Sequence, residues 1–121
     1  ILEYAKSQGR PITTIINTHW HLDHTTGNRD ILAAFPEAKV LATDAIEGAL
    51  AGFLARGAAE SEAMLAGSAD LSPADRAELQ RGIAAVRDPE ALLPDIVVAD
   101  SARLRVDGRE IEIFVAERAV T

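Results

Sequence analysis

The sequence predicts an α/β (α+β) domain in which β-strands are flanked by helices. Three stretches carry this prediction. Residues 12–17 are rich in β-branched and apolar side chains, a pattern typical of a strand buried on both faces. Residues 44–88 are rich in alanine and contain helix-start signals. Residues 104–111 alternate between apolar and charged side chains around Asp107-Gly108, as expected for a β-hairpin.

The composition is that of an ordinary globular chain with an acidic balance. Its 121 residues are enough for one modest domain with a core, and we expect a single domain over residues 1–121. Apolar residues make up 48% and charged residues 26% of the chain, which is typical of folded proteins. The net charge of −7 repels phosphate backbones, so it disfavours a nucleic-acid partner.

Two absences in the sequence narrow the expected chemistry. The chain contains no cysteine, so disulfides and thiolate ligands are excluded and any metal must bind imidazole or carboxylate groups. No apolar run approaches the roughly 18–20 residues that a membrane-spanning helix needs. We therefore expect no membrane partner.

In the first part of the chain the pattern alternates between helix and strand. Gly9 suits the left-handed position just after a helix end, and Asn28 suits the N-cap of the helix that follows it. The predicted elements are a helix over 1–8, a strand over 12–17, a helix over 29–35 and a strand over 38–43.

The alanine-rich region is predicted as several helices. Asp44 with Glu47 three residues later forms a capping-box pattern, so a helix is expected to begin there. Gly57 and Gly67-Ser68 are expected to interrupt the helical pattern. Ser72-Pro73 is a stronger start signal for a helix that ends near Arg87. The residues expected to share one buried helical face are Ile46, Leu50, Phe53 and Leu54.

The hairpin is predicted down to its register. A two-residue Asp-Gly turn pairs Arg105 with Glu110 on one face. The same register pairs Arg103 with Glu112 on that face, and it places Leu104 opposite Ile111 on the other face. Opposite charges and apolar partners support this one register together.

All three histidines of the chain lie in one loop, directly after the first predicted strand. Residues two apart in an extended chain point the same way, so His19 and His21 are expected to reach one ion. A turn at Leu22 would direct Asp23 and His24 toward a neighbouring position. Nitrogen and oxygen donors without sulfur suit Zn²⁺, Mn²⁺ or Fe²⁺, with zinc the default. The alternative is a chance cluster of histidines in a polar surface loop.

The residues of this loop carry a resemblance to a known family. Thr18-His19-Trp20-His21-Leu22-Asp23-His24, followed by Thr25-Thr26-Gly27-Asn28, resembles the His-x-His-x-Asp-His signature of the metallo-β-lactamase superfamily. The resemblance implies a partial αββα sandwich, close over residues 1–45 and loose over 96–115. It further implies that His19 and His21 hold the first metal and that Asp23 and His24 hold the second. Asp23 is also the implied catalytic residue, which orients or deprotonates the attacking water.

The chain departs from the family pattern in its later part. Members of the family use a further histidine, a bridging aspartate and a last histidine, but no histidine follows His24 here. Either the ligand position falls within residues 115–121 and is substituted, or it lies past Thr121. We therefore expect a domain truncated at both ends, whose loop residues alone leave the first metal site a ligand short.

These observations predict a zinc-dependent hydrolase with one or two bound ions, iron or manganese being the other ions that the donors admit. Its metal-activated water would attack an ester, thioester or lactam bond of a small-molecule substrate. Two alternatives stay open. One is an iron-binding oxygenase relative of the same fold. The other is a catalytically inert fragment that acts only by self-association through open sheet edges.

Overall fold

The computed structural model describes residues 1–67 and 70–116, and it confirms the predicted class of strands flanked by helices. The first elements in chain order are α1 (Leu2–Ser7), β1 (Thr14–Ile16), α2 (Leu22–Thr25), α3 (Asn28–Ala34) and β2 (Lys39–Ala42). They are followed by α4 (Ala45–Ala51), α5 (Phe53–Gly67), α6 (Pro73–Arg87), β3 (Ile96–Val97), β4 (Ala102–Val106) and β5 (Arg109–Ile113). A short 3₁₀ turn, Pro89–Ala91, links α6 to β3. No helix in these two ranges is both long and apolar enough to cross a bilayer.

The first three strands form a parallel sheet in the order β1-β2-β3. Ile15 lies opposite Val40, and Leu41 lies opposite Ile96. The prediction that the first strand is buried on both faces is wrong for the described residues, because Thr14 and Ile15 are only partly buried and Ile16 is 38% exposed. β3 was not predicted, since two residues of strand are too short to leave a periodic pattern.

The helix after the histidine loop begins one residue earlier than predicted. Asn28 is the first residue of α3 rather than its cap, and no side chain caps this helix. Instead the buried Asn28 side chain donates from Nδ2 to the carbonyl oxygen of Ala91, at 3.1 Å. Asn28 therefore joins α3 to the 3₁₀ turn, and the predicted N-cap role is wrong.

The alanine-rich region forms three helices, with two corrections to the predicted boundaries. α4 begins directly after Asp44 as predicted, but no side chain caps it, so the capping box with Glu47 is not formed. Gly57 lies inside α5, and the helical pattern breaks at Gly52 instead, where the backbone leaves the helical region. Phe53 follows that break and is 61% exposed, so it does not share the buried face of Ile46 and Leu54. Of the predicted break at Gly67-Ser68, Gly67 ends α5 and Ser68 lies outside the described residues.

The predicted start of α6 is confirmed. Ser72 is the N-cap, and its Oγ accepts a hydrogen bond from the backbone N–H of Asp75 at 3.1 Å, with Pro73 in the first turn. α5 packs against both α6 and α4. The buried cluster that holds these helices to the rest of the chain consists of Ile46, Ala49, Leu54, Ala85 and Leu92.

The hairpin has the predicted register. Arg103 pairs with Glu112, Leu104 with Ile111 and Arg105 with Glu110. Asp107 and Gly108 both have positive φ, 48° and 79°, which is the backbone that a two-residue type I′ turn requires. The charged side chains lie on the exposed face, and the apolar side chains alternate with them on the more buried face. The turn reaches the start of β1, where Thr13 Oγ1 donates to the Asp107 carboxylate at 2.5 Å.

Candidate active site

The histidine loop lies at the carboxyl end of the parallel sheet. It follows β1 directly, and the backbone N–H of Asn17 still donates to the carbonyl oxygen of Leu41 at 3.0 Å. In open α/β sheets ligands bind outside the carboxyl ends of the strands, where loops with free side chains gather. The loop is therefore in the part of the sheet where a ligand site is expected.

α2 fixes the second half of the loop. His21 is its N-cap residue, with extended backbone angles, and Leu22 starts the helix where a turn was predicted. The carbonyl oxygen of His21 accepts two hydrogen bonds at 3.0 Å, from the backbone N–H of His24 and from Thr25 Oγ1. Thr25 is 1% exposed and Leu22 packs against the buried cluster. The buried side of α2 thus anchors a loop whose polar side chains remain accessible.

The imidazole rings of the loop lie close together. The ring centroids of His19 and His21 are 4.8 Å apart, and those of His19 and His24 are 4.2 Å apart. Trp20 packs edge-on against His21 at 4.5 Å and against Phe53 at 5.6 Å. The structure therefore brings the three predicted histidines into one cluster, and Trp20 forms the wall behind His21.

Several of the polar atoms in the cluster are engaged with each other. His19 Nδ1 lies 3.0 Å from Thr18 Oγ1, and His24 Nε2 lies 3.3 Å from the Asp23 carboxylate. The side chain of Asp23 is 76% exposed, so its carboxylate is open to solvent. Among residues 1–67 and 70–116, no three His, Asp or Glu side chains converge on one point as metal ligands would.

The electrostatics of the cluster favour a neutral imidazole at its centre. The pKa of His19 is lowered from its usual value by desolvation first, and then by the nearby His24 and His21. Asp23 acts in the opposite direction and raises that pKa. Neutral imidazole is the form that binds a metal ion, so the cluster favours the ligand form of His19.

Two buried features of the site were not identified from the sequence. Thr25 Oγ1 donates a hydrogen bond to the His21 carbonyl oxygen. The Nδ2 of Asn17 is buried and has no hydrogen-bond partner in the described structure. Both lie next to the motif, but a threonine and an asparagine in a polar loop carry no distinctive sequence signal. Both features depend on burial in the folded protein, which the neighbouring residues in the sequence do not indicate.

A cavity of about 530 Å³ opens beside His19. We call it the strand-end cavity, because Asn17, Thr43 and Val98, which follow the three parallel strands, all line it. Its other lining residues are Ile16, Thr18, His19, Trp20, Leu41, Ala42, Ala45, Ile111, Glu112, Ile113, Phe114, Val115 and Ala116. A second cavity of similar size lies at the amino end of β2, where Arg29 and Lys39 are ion-paired with Asp88 and Asp95.

The chain from the hairpin leads into the wall of the strand-end cavity. Val115 and Ala116 line it together with His19. The stretch considered as a substituted ligand segment begins here, and its residues 117–121 lie outside the described residues. Any ligand that this segment supplies would follow directly from a residue that already lines the site.

The chemistry of the donors fits a divalent metal ion. Imidazole nitrogens and a carboxylate oxygen without thiolate are ligands that zinc, iron and manganese accept. The three clustered rings supply such donors, while the spread of their nitrogen atoms leaves the set incomplete within the described chain. A bound ion would therefore need the side chains to rearrange, and it would take its remaining ligands from water or from elsewhere in the protein.

Comparison with known proteins supports the resemblance. The chain matches the metallo-beta-lactamase superfamily over residues 1–112. It is 52% identical over 46 residues to a hydroxyacylglutathione hydrolase of Erythrobacter litoralis (strain HTCC2594), a stretch that covers 38% of this chain and 18% of that protein. It is 46% identical over 43 residues to a hydroxyacylglutathione hydrolase of Synechococcus sp. (strain ATCC 27144 / PCC 6301 / SAUG 1402/1), covering 36% of this chain and 17% of that protein.

These matches cover less than a fifth of the length of the two curated relatives. No solved structure matches the chain significantly. The family match covers nearly the whole chain, including the histidine loop, the helices and most of the hairpin. The chain belongs to the metallo-β-lactamase superfamily.

Proposed function

We propose that this chain is part of a zinc-dependent hydrolase in which the histidine loop holds the metal and water attacks an ester, thioester or lactam bond. The single observation that carries the proposal is the cluster of three imidazole rings at the carboxyl end of the sheet. The two relatives with the printed name hydroxyacylglutathione hydrolase support a thioester as the bond that is cleaved.

In the proposed site His19 and His21 hold one ion, and Asp23 and His24 hold a second where two are bound. When bound, zinc is a Lewis acid that lowers the pKa of water to about 7 and so supplies a nucleophile at neutral pH. The carboxylate of Asp23 is accessible to water, since its side chain is 76% exposed.

The residues of the chain have distinct roles in the reaction. Asp23 orients the attacking water and accepts its proton on a carboxylate oxygen. The water oxygen bonds to the acyl carbon and the bond to the leaving oxygen, sulfur or nitrogen breaks. The leaving group then takes up this proton from Asp23. The products are an alcohol, thiol or amine and a carboxylic acid, which releases its remaining proton to solvent and becomes a carboxylate. Thr25 keeps the backbone of His21 in place through its hydrogen bond.

Metal binding is the first test. The chain is stripped with a chelator, zinc is added back, and bound metal is measured by elemental analysis beside the double variant His19→Ala/His21→Ala. We expect about one equivalent of zinc, lost in the double variant and retained in Trp20→Phe, because two nitrogen donors are removed only in the former. Equal zinc content in all three proteins would contradict the proposed ligands.

The roles of the loop residues are tested in the complete enzyme. Asp23→Asn is expected to lower kcat/KM by about 100-fold or more, as loss of a general base does. Trp20→Phe should have a much smaller effect, since a smaller aromatic ring still packs against His21 and Phe53. Comparable losses in the two variants would show that the loop is misinterpreted.

Loading the complete enzyme with iron and measuring oxygen uptake separates a hydrolase from an oxygenase of the same fold.

Self-association through the open edges of β1 and β3 stays a prediction. β3 is only two residues long, and very short edge strands pair weakly. Size-exclusion chromatography over a range of concentrations distinguishes a monomer from a concentration-dependent oligomer.

A further inference from the structure

The walls of the strand-end cavity are largely apolar. Ile111, Ile113 and Phe114 line it from the hairpin side. Ile16, Leu41 and Val98 line it from the parallel sheet. The volume of about 530 Å³ lies within the roughly 300–1,000 Å³ of small-molecule sites. Because His19 lines the same cavity, a group bound here would lie next to the proposed metal loop.

The cavity offers little to attract a negatively charged ligand. His19 and Glu112 are its ionisable lining residues in the described structure. Glu112 is ion-paired with Arg103 on the exposed face of the hairpin. No lysine or arginine lies among the described lining residues, and the chain as a whole carries a net charge of −7. Away from the histidine loop, a carboxylate brought into this cavity would lose hydration without gaining a cationic side chain as its partner.

We infer that the strand-end cavity binds the apolar acyl group of an uncharged ester or thioester. The inference rests on the proposed hydrolase function and narrows its substrate to the class of medium-chain acyl compounds without a carboxylate on the acyl chain. Phe114 lines the cavity and is 80% exposed, so its ring has apolar surface available to cover an acyl chain.

The test is a binding measurement that needs no metal. The fluorescent probe N-phenyl-1-naphthylamine is bound to the chain and displaced with octanamide, with acetamide or with the dianion octanedioate. Each buried methylene strengthens binding by about fourfold. We expect octanamide to displace the probe at a concentration at least about tenfold lower than acetamide, and octanedioate to be weaker than octanamide.

Two substitutions of the exposed Phe114 test whether binding takes place in the strand-end cavity. Phe114→Ala should weaken octanamide binding by about fivefold to tenfold, because part of the apolar wall is removed. Phe114→Lys should weaken octanamide and strengthen octanedioate, since it adds the missing cation. A misfolded protein cannot gain affinity for the dianion, so this variant separates selectivity from damage. Tyr4→Ala is the matched control, an aromatic residue that is 71% exposed and does not line the cavity.

Three results would overturn the inference. They are equal displacement by octanamide and acetamide, stronger binding of octanedioate by the unmodified chain, and octanamide binding that Phe114→Ala leaves unchanged. Absence of zinc-dependent turnover, by contrast, would count against the proposed hydrolase alone, because the displacement assay is independent of catalysis.

Discussion

Asp95 ties the start of β3 to β2, and its removal should have a cost that depends on pH. Its Oδ2 accepts a hydrogen bond from the backbone N–H of Val40 at 2.9 Å, and its Oδ1 accepts one from Lys39 Nζ at 3.1 Å. Val40 is 1% exposed, so in Asp95→Ala a buried N–H loses this acceptor. The parallel pairing of β2 with β3 begins at the next residue, Leu41.

The size of the effect follows from the two contacts. A hydrogen bond from a backbone N–H to a charged group contributes about 1.5–3 kcal/mol. The ion pair with Lys39 adds about 0–1 kcal/mol, because the two side chains are 56% and 37% exposed and water screens them. With the carboxylate itself partly exposed, we expect Asp95→Ala to lower the free energy of unfolding by about 2 kcal/mol at pH 7.

The stabilisation by Asp95 is expected to depend on pH. The pKa of Asp95 is lowered by the hydrogen bond from the Val40 N–H first, with burial opposing and Lys39 lowering it further. A lowered pKa in the folded state means that the stabilisation is present above the ordinary carboxyl pKa of about 4. It is lost as the pH falls through the lowered pKa. The difference between wild type and Asp95→Ala should therefore shrink in strongly acidic solution.

Urea unfolding at pH 7 and in strongly acidic buffer measures both quantities. Asp95→Asn keeps an oxygen for the Val40 N–H without the charge, so its smaller loss should change less with pH. Asp100→Ala serves as a control at an exposed aspartate. A loss below about 0.5 kcal/mol at pH 7, within the range of ordinary surface substitutions, would refute this account of Asp95. A loss of equal size at both pH values would refute the role of its charge.

Two further variants test local structure. Thr25→Val removes the donor to the His21 carbonyl. Because the His24 N–H still donates to that carbonyl, the variant should cost about 0.5–1.5 kcal/mol in urea unfolding, and it should weaken zinc binding. Thr25→Ser should retain both stability and zinc binding, and normal zinc affinity in Thr25→Val would contradict the anchoring role. Ser72→Ala removes the cap of α6 and should lower the free energy of unfolding by about 1 kcal/mol without changing zinc binding. Altered zinc content in this variant would contradict the expectation.

Features encoded by neighbouring residues were predictable from the sequence. The hairpin register follows from the Asp107-Gly108 turn and its flanking charges, and the start of α6 follows from Ser72-Pro73. Each of these signals lies within a few residues of its effect. The cluster of the histidine rings was likewise expected, because the loop places them on neighbouring positions of one short segment.

Features that depend on distant parts of the chain were not predictable. Asn28 has the composition of a cap, but burial beside Ala91 gives its side chain a different partner. The strand β3 exists because Asp95 and β2 hold it, while its own two residues carry no pattern. Phe53 fits the apolar face of a continuous helix, yet the break at Gly52 turns it toward Trp20.

The position of Trp20 has a practical consequence. It is the single tryptophan of the chain, and its indole ring lies between the rings of His21 and Phe53. Excitation of tryptophan fluorescence therefore reports on one place only, the back wall of the histidine loop. Indole emission responds to the charge and orientation of an adjacent imidazole, so an ion that draws His21 into its coordination sphere would change the signal. The protein thus carries its own optical reporter for titrations of metal and ligand, with no label to introduce.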